Sequence, residues 1–245
     1  MKSILLSFVL LTSLLGSSQN YKKTYSTIFL NKEVDNHFSR YYKNYAAKYF
    51  YKTKGERRII ERDPILDTVA AGRSEYSINV FKESSKNISF SSLLNYVPDG
   101  AAAHKRFYSN PSIFKEPKGC VFPIKDNLPI LKRNNLVWSS ELFVQTAYSF
   151  NSENGNLSNE YVLQRTLHNR EAVVNPSSAD FYLNSYLAST DHRNAIHNYG
   201  NWKFGSSTMF IVSKYYNQYL KMWKYDVFTC HTIIIVKNYT DSNVY

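Results

Sequence analysis

Three features of the 245-residue sequence predict an α+β domain, with helices flanking a small, mostly antiparallel sheet. Apolar residues recur at helical spacing before Val80 and again from Ala179 to Leu187. Two β-branched and aromatic segments close the chain, Phe204 to Val212 and Tyr225 to Val236. Between these regions, residues 83–135 carry Gly, Pro, Asn and Ser at short intervals and no sustained period. Helices, irregular middle, helix and strands, in that order, fit the α+β class better than an alternating parallel one.

At the N-terminus, Lys2 precedes an apolar and small-residue run from Ile4 to Leu15, then Gly16, Ser17 and Ser18. This is the charged, apolar and small-residue order of a signal peptide, expected to be cleaved after about residue 19. The run is too short to span a bilayer comfortably, so no transmembrane segment is expected after cleavage and the body is expected outside the cytoplasm, extracellular or periplasmic. Residues 20–245 then form one domain with its core from about 30 to 237.

The first helix follows from Leu30, Val34, Phe38, Tyr41, Tyr45 and Tyr49, spaced by three and four. A second is expected to start at Asp63-Pro64, where an N-cap acceptor precedes a proline in the first turn. Its buried stripe is Leu66, Val69, Ala70, Tyr76 and Val80. After the helix at Ala179–Leu187, Ser189-Thr190-Asp191 supplies capping residues for a short helix through Ile196, with His192 in its first turn. The two final strands are expected to pair antiparallel.

The formal charge is +11, and the basic residues are spread out rather than run together. A solvated basic surface is therefore expected, not a nucleic-acid partner. The 21 tyrosines and 15 phenylalanines read first as packing, with Tyr182, Tyr186 and Phe107 a possible groove lining. Only Cys120 and Cys230 are present, compatible with one disulfide in an exported chain or with two separate buried thiols.

No phosphate-cradling loop, dinucleotide fingerprint, HExxH, CxxC or GxSxG elbow occurs, which removes support for most standard enzyme classes. Glu141 stands in the apolar stretch Leu136–Val144 and must be exposed, hydrogen-bonded or paired there. His104 and His192 adjoin irregular segments. Two imidazoles and a carboxylate converging from separate elements would make a divalent-metal or acid/base site.

The stretch from Asp180 to Ile196, with its Ser-Thr-Asp-His-Arg, followed by Asn201-Trp-Lys-Phe-Gly-Ser-Ser-Thr, resembles the second half of the CAP superfamily, also called SCP-like, of cysteine-rich secretory proteins, antigen 5 and pathogenesis-related proteins. Asp63 to Tyr76 is similar to that family's early helix. The resemblance implies a three-layer α-β-α sandwich and a cleft formed by His104, Glu141 and His192. It also implies a binding role, toward a small hydrophobic ligand, a divalent metal such as zinc or calcium at His104 and His192, or another extracellular or cell-surface protein. No general enzymatic activity attaches to the family, and a metal-assisted hydrolase using the same three residues is the alternative, with a basic surface-binding protein lacking cleft chemistry as the third. Leu142 replaces the asparagine that follows the family glutamate, and Glu153-Asn154 competes with Glu141 for that position. An insertion around residues 150–175 would account for the long interval from Glu141 to His192.

Overall fold

The computed structural model describes residues 22–96, 112–115, 131–134, 136–167 and 179–238. Its elements are β1 (Thr24–Tyr25), β2 (Phe29–Leu30), α1 (Lys32–Lys54), β3 (Glu61–Arg62), α2 (Pro64–Ser84), α3 (Phe90–Leu94) and β4 (Leu136–Ser152). They continue with α4 (Asn159–Leu167), α5 (Ala179–Ala188), α6 (Thr190–Ile196), β5 (Asn201–Asn217) and β6 (Met222–Asn238). The signal segment, His104, Phe107 and Cys120 lie outside the described residues.

The Asp63-Pro64 start forms as the sequence predicts, with Asp63 Oδ1 accepting the Ile65 N–H at 2.9 Å. Helix α1 opens with the same device, Asn31 Oδ1 accepting from Val34 N at 3.2 Å. It closes at Gly55, whose φ of 74° needs a residue without a Cβ penalty and whose N–H reaches the Tyr51 carbonyl.

Three strands of 17 residues make the body of a six-stranded sheet, in the order β5, β6, β4, with both neighbouring pairs antiparallel. This establishes the α+β class with a mostly antiparallel sheet. The outer edge of β5 is covered only in patches. Strand β1 pairs at Ser213 and Lys214, β2 at Met209 and Phe210, and β3 runs parallel to Lys203 and Phe204. Residues Gly205 to Thr208 lie between the last two patches and leave a gap in the pairing of that edge.

Alternation along the strands divides the core. Leu142, Phe204, Ile233 and Ile235 meet Val34, Phe38 and Tyr42 of α1 and Tyr182 and Tyr186 of α5. On the other face Ile234 and Val236 meet Leu66, Val69 and Ala70 of α2, while Phe228 and Cys230 meet Tyr76 and Phe81. Helix α2 comes so close to β5 that a Cβ on Gly205 would lie 2.1 Å from the Leu66 carbonyl carbon and 2.2 Å from the Asp67 nitrogen. Only glycine permits that contact.

Two elements depart from the sequence reading. The stretch around Glu141 belongs to the long strand β4, and the supposed insertion contains the end of β4 and helix α4. Tyr182 and Tyr186 line no groove, because both are fully buried against Phe38 and His231. Cys230 is buried with its Sγ 3.8 Å from Thr232 Oγ1 and makes no disulfide among the described residues. No helix among the described residues is long and apolar enough to cross a membrane.

Candidate functional site

The gap along β5 opens into a notch of about 400 Å³, lined by Leu30, Lys32, Asp35, Asn36, Arg62, Pro64, Asp67, Ala71, Ser206 and Ser207. Its two carboxylates come from equivalent places. Asp35 is the fourth residue of α1 and Asp67 the fourth of α2, each one turn inside a side-chain-capped N-terminus. Helix starts favour acidic side chains there, and the two starts converge because Asn31 N donates to Thr208 O and Asp63 N to Phe204 O, both at 2.8 Å.

Both aspartates replace the strand partner that β5 lacks in the gap. Asp67 Oδ1 accepts the Ser206 backbone N–H at 2.9 Å. Asp35 accepts the Thr208 hydroxyl at 2.7 Å and the Thr208 backbone N–H. Unpaired edge donors would otherwise be left without partners at a half-buried site.

The two carboxylates then differ. Asp67 receives Arg62 Nε at 2.9 Å on both oxygens, and Arg62 Nη1 also donates to Asn36 Oδ1 at 2.8 Å. Asp35 is 3% exposed and has no cation bonded to it among the described residues. Burial pushes its carboxyl up to about 7, against the hydrogen bond from Thr208 and the attraction of Arg62, and with a further upward push from Asp67. Near neutrality Asp35 therefore exists both as a hydrogen-bond donor and as an acceptor.

Two hydroxyls of the adjoining strand are buried: Ser206 Oγ and Ser207 Oγ are each on residues 1% exposed, and neither has a hydrogen-bond partner among the described residues. As strand neighbours they point to opposite faces of the sheet, Ser206 with Thr208 toward α1 and Ser207 with Gly205 toward α2, so the polar groups open to the notch are Asn36 and the Arg62–Asp67 pair beside Asp35.

The residues singled out from sequence land elsewhere. Glu141 on β4 is ion-paired with Arg73 Nε of α2, both side chains almost wholly buried, and Arg73 Nη1 donates to Ser77 Oγ at 3.1 Å. His192 on α6 packs its ring edge-on to Tyr186, with centroids 5.7 Å apart. Tyr186 belongs to the α1 and α5 face of the sheet and Arg73 to the α2 face, so the sheet separates the Glu141 carboxylate from His192. The structure does not bring these two together, and His104 lies outside the described residues. Glu153, the competing glutamate, is exposed in the turn after β4. No group of three or more His, Cys, Asp or Glu side chains able to hold a metal occurs among the described residues.

One buried imidazole belongs to the core. His231 is stacked on Tyr182 at 4.3 Å, its Nδ1 lies 2.7 Å from the Tyr186 hydroxyl, and burial lowers its pKa to about 3, so the ring is neutral.

No protein-family model, curated protein or solved structure matches the chain. The likeness to the CAP superfamily rests on the quoted residues alone.

Proposed function

We propose that the protein is an exported binding domain that takes a small, uncharged, hydroxyl-rich molecule into the notch between α1, α2 and β5. The observation that carries this reading is a cavity of about 400 Å³ between two capped helix starts, whose polar lining includes Asp35, Asn36 and the Arg62–Asp67 pair. That size suits a ligand of one or two sugar rings. Formal charges there are largely paired off, Asp67 by Arg62, with Lys32 at the exposed rim and Asp35 titrating near neutrality. What is left to recognise a ligand is a set of groups that both donate and accept, which matches hydroxyls rather than a strong anion or cation.

Export is supported by the N-terminal charged, apolar and small-residue order. A three-layer α-β-α arrangement is supported by α1 and α5 on one sheet face and α2 on the other. A CAP-like relationship, supported by the Asp180–Thr208 stretch, accords with binding rather than catalysis.

The test is ligand-observed NMR with thermal-shift readout, using D-glucose, N-acetylglucosamine and myo-inositol against acetate and glycine. At least one polyol should bind saturably and raise Tm, and Asn36→Ala, which removes an exposed amide from the lining, should weaken it about tenfold. Saturable binding of acetate or glycine alone, or no binding by any of the five, overturns the reading.

A further inference from the structure

A second surface, at the far end of β5 from the notch, carries chemistry of another kind. From Lys214 to Tyr225 the chain holds three lysines, four tyrosines, one tryptophan, one leucine and no acidic residue. This segment is the β5–β6 turn with its flanks. Strand β4 stops opposite Trp223, so beyond Tyr216 and Trp223 only Asn217, Met222 and the loop 218–221 remain. The loop stands past the edge of the three-stranded body.

At its apex Tyr219 is 87% exposed and Leu220 46%, with Tyr216 behind them at 41%. The backbone that carries them is fixed by local bonds. Asn217 Oδ1 accepts both the Tyr219 and the Leu220 N–H groups at 3.0 Å. Lys221 then takes φ 51°, a left-handed conformation that a lysine adopts only at a cost. Tyr216 packs edge-on to Trp223 at 5.4 Å, and Trp223 is held beneath Gly155 and the Lys214 ammonium. The turn is a braced display, not a slack loop.

Cations ring it. Lys221 and Lys224 lie on the turn and its second strand, Lys214 on the first, and the β1 register continued by two residues sets Lys22 beside Tyr216. The acids on neighbouring segments are Glu153 and Glu160, both exposed, and Asp226, which is buried and accepts from Ser149 Oγ. The charge of the apex itself is positive without internal compensation.

We propose that this turn docks the protein on an anionic lipid bilayer, with Tyr219 and Leu220 entering the headgroup and upper acyl region and Lys221 and Lys224 meeting lipid phosphates and carboxylates. Amphipathic aromatic rings favour that depth, and lysine stems extend along apolar surface while keeping the ammonium at the headgroups. A convex apex with two apolar tips and flanking cations fits a yielding, negatively charged plane better than a rigid protein face, which would have to offer a matching pocket. The inference is independent of the notch.

The experiment is flotation of the full chain with phosphatidylcholine vesicles, with and without phosphatidylserine, at low and high salt. Binding should require phosphatidylserine and fall with salt. The Tyr219→Ser/Leu220→Ser double variant should partition about tenfold less or weaker still, and Lys221→Gly, which tolerates the same φ, about fivefold less. Both variants should keep the wild-type circular dichroism and neither should lower Tm, because the replaced side chains are exposed and glycine takes the Lys221 φ without strain. Absence of wild-type binding to phosphatidylserine vesicles overturns the proposal. So does salt-sensitive binding that the double variant retains in full, since the diffuse charge of the chain would then be responsible.

Discussion

Two guanidinium–carboxylate pairs flank helix α2, and they have opposite consequences. Arg62 and Asp67 sit at the sheet edge with side chains 22% and 30% exposed, while Arg73 and Glu141 lie between α2 and the sheet at 0% and 7%. In the first, Asp67 still serves the Ser206 backbone N–H, and the surrounding cavity keeps hydrogen-bonding capacity facing outward. In the second, Tyr76 and Phe143 lie against the guanidinium and the pair is sealed among side chains. The same chemistry is thus spent on structure in one place and leaves recognition groups in the other. Position relative to the gap in β5 makes the difference.

The largest expected effect separates the two pairs directly. Glu141→Ala leaves Arg73 buried without its carboxylate and should cost about 3–5 kcal/mol in urea unfolding. The double change Arg73→Met/Glu141→Leu should recover most of that, because it removes both buried charges at similar volume. If Glu141→Ala unfolds at the same urea concentration as wild type, the pair is not sealed in the way its burial indicates.

Next comes Asp35. Its folded pKa of about 7 lies above the unfolded value, so the stability tied to the neutral carboxyl is fully present below the unfolded pKa, near 4, and is lost as pH rises toward and through 7. Arg62, Asp67 and Lys32 are the charged groups facing it across the notch. Asp35→Asn keeps an oxygen for Thr208 but cannot ionise, so its stability should not show this loss. By about pH 8 the variant should exceed wild type by roughly 2–4 kcal/mol. Parallel stability curves for the two proteins from pH 4 to 8 would remove the basis for a titrating carboxyl in the notch.

A smaller effect is expected from Asp67→Asn, which weakens the contact with a partly exposed Arg62 and keeps one acceptor for Ser206 N–H. About 1 kcal/mol is the scale, well under the Glu141 loss, and denaturant titration of the two variants side by side checks the ranking.

The fold was readable from sequence wherever one local rule decided. The Asp63-Pro64 cap, the α2 stripe and the β5–β6 pair each rest on neighbours within a few residues, whereas in α1 the helix was legible but its face was not: after Phe38 the buried stripe runs through Tyr42, Ala46 and Phe50, while Tyr41 is exposed and Leu30 belongs to β2. Strand β4 was not, because Glu141 and Gln145 interrupt its apolar run, and Glu141 is explained only by the Arg73 that α2 places against that face. The notch was still less legible. Asp35 meets Thr208 across 173 positions, and what gathers the residues is a missing strand partner, which no local pattern encodes. Two traces of it were present. One is the carboxylate at the fourth position of two capped helices. The other is Ser206-Ser207-Thr208 following Gly205, a small polar run between the apolar Phe204 and Met209–Val212.

Asn36→Ala carries the smallest effect on folding and the sharpest test of the contrast between the pairs. The amide removed is exposed and accepts a surface hydrogen bond from Arg62 Nη1 at 2.8 Å, so its loss should shift stability by no more than about 0.5 kcal/mol. Polyol affinity should nonetheless drop, as the same amide is then absent from the cavity lining. A residue that matters for binding and not for folding is what a recognition site contains and a sealed ion pair does not. Calorimetric unfolding and ligand titration on this one variant measure both sides of that distinction. Equal loss in the two measurements would place Asn36 with Glu141, as part of the scaffold.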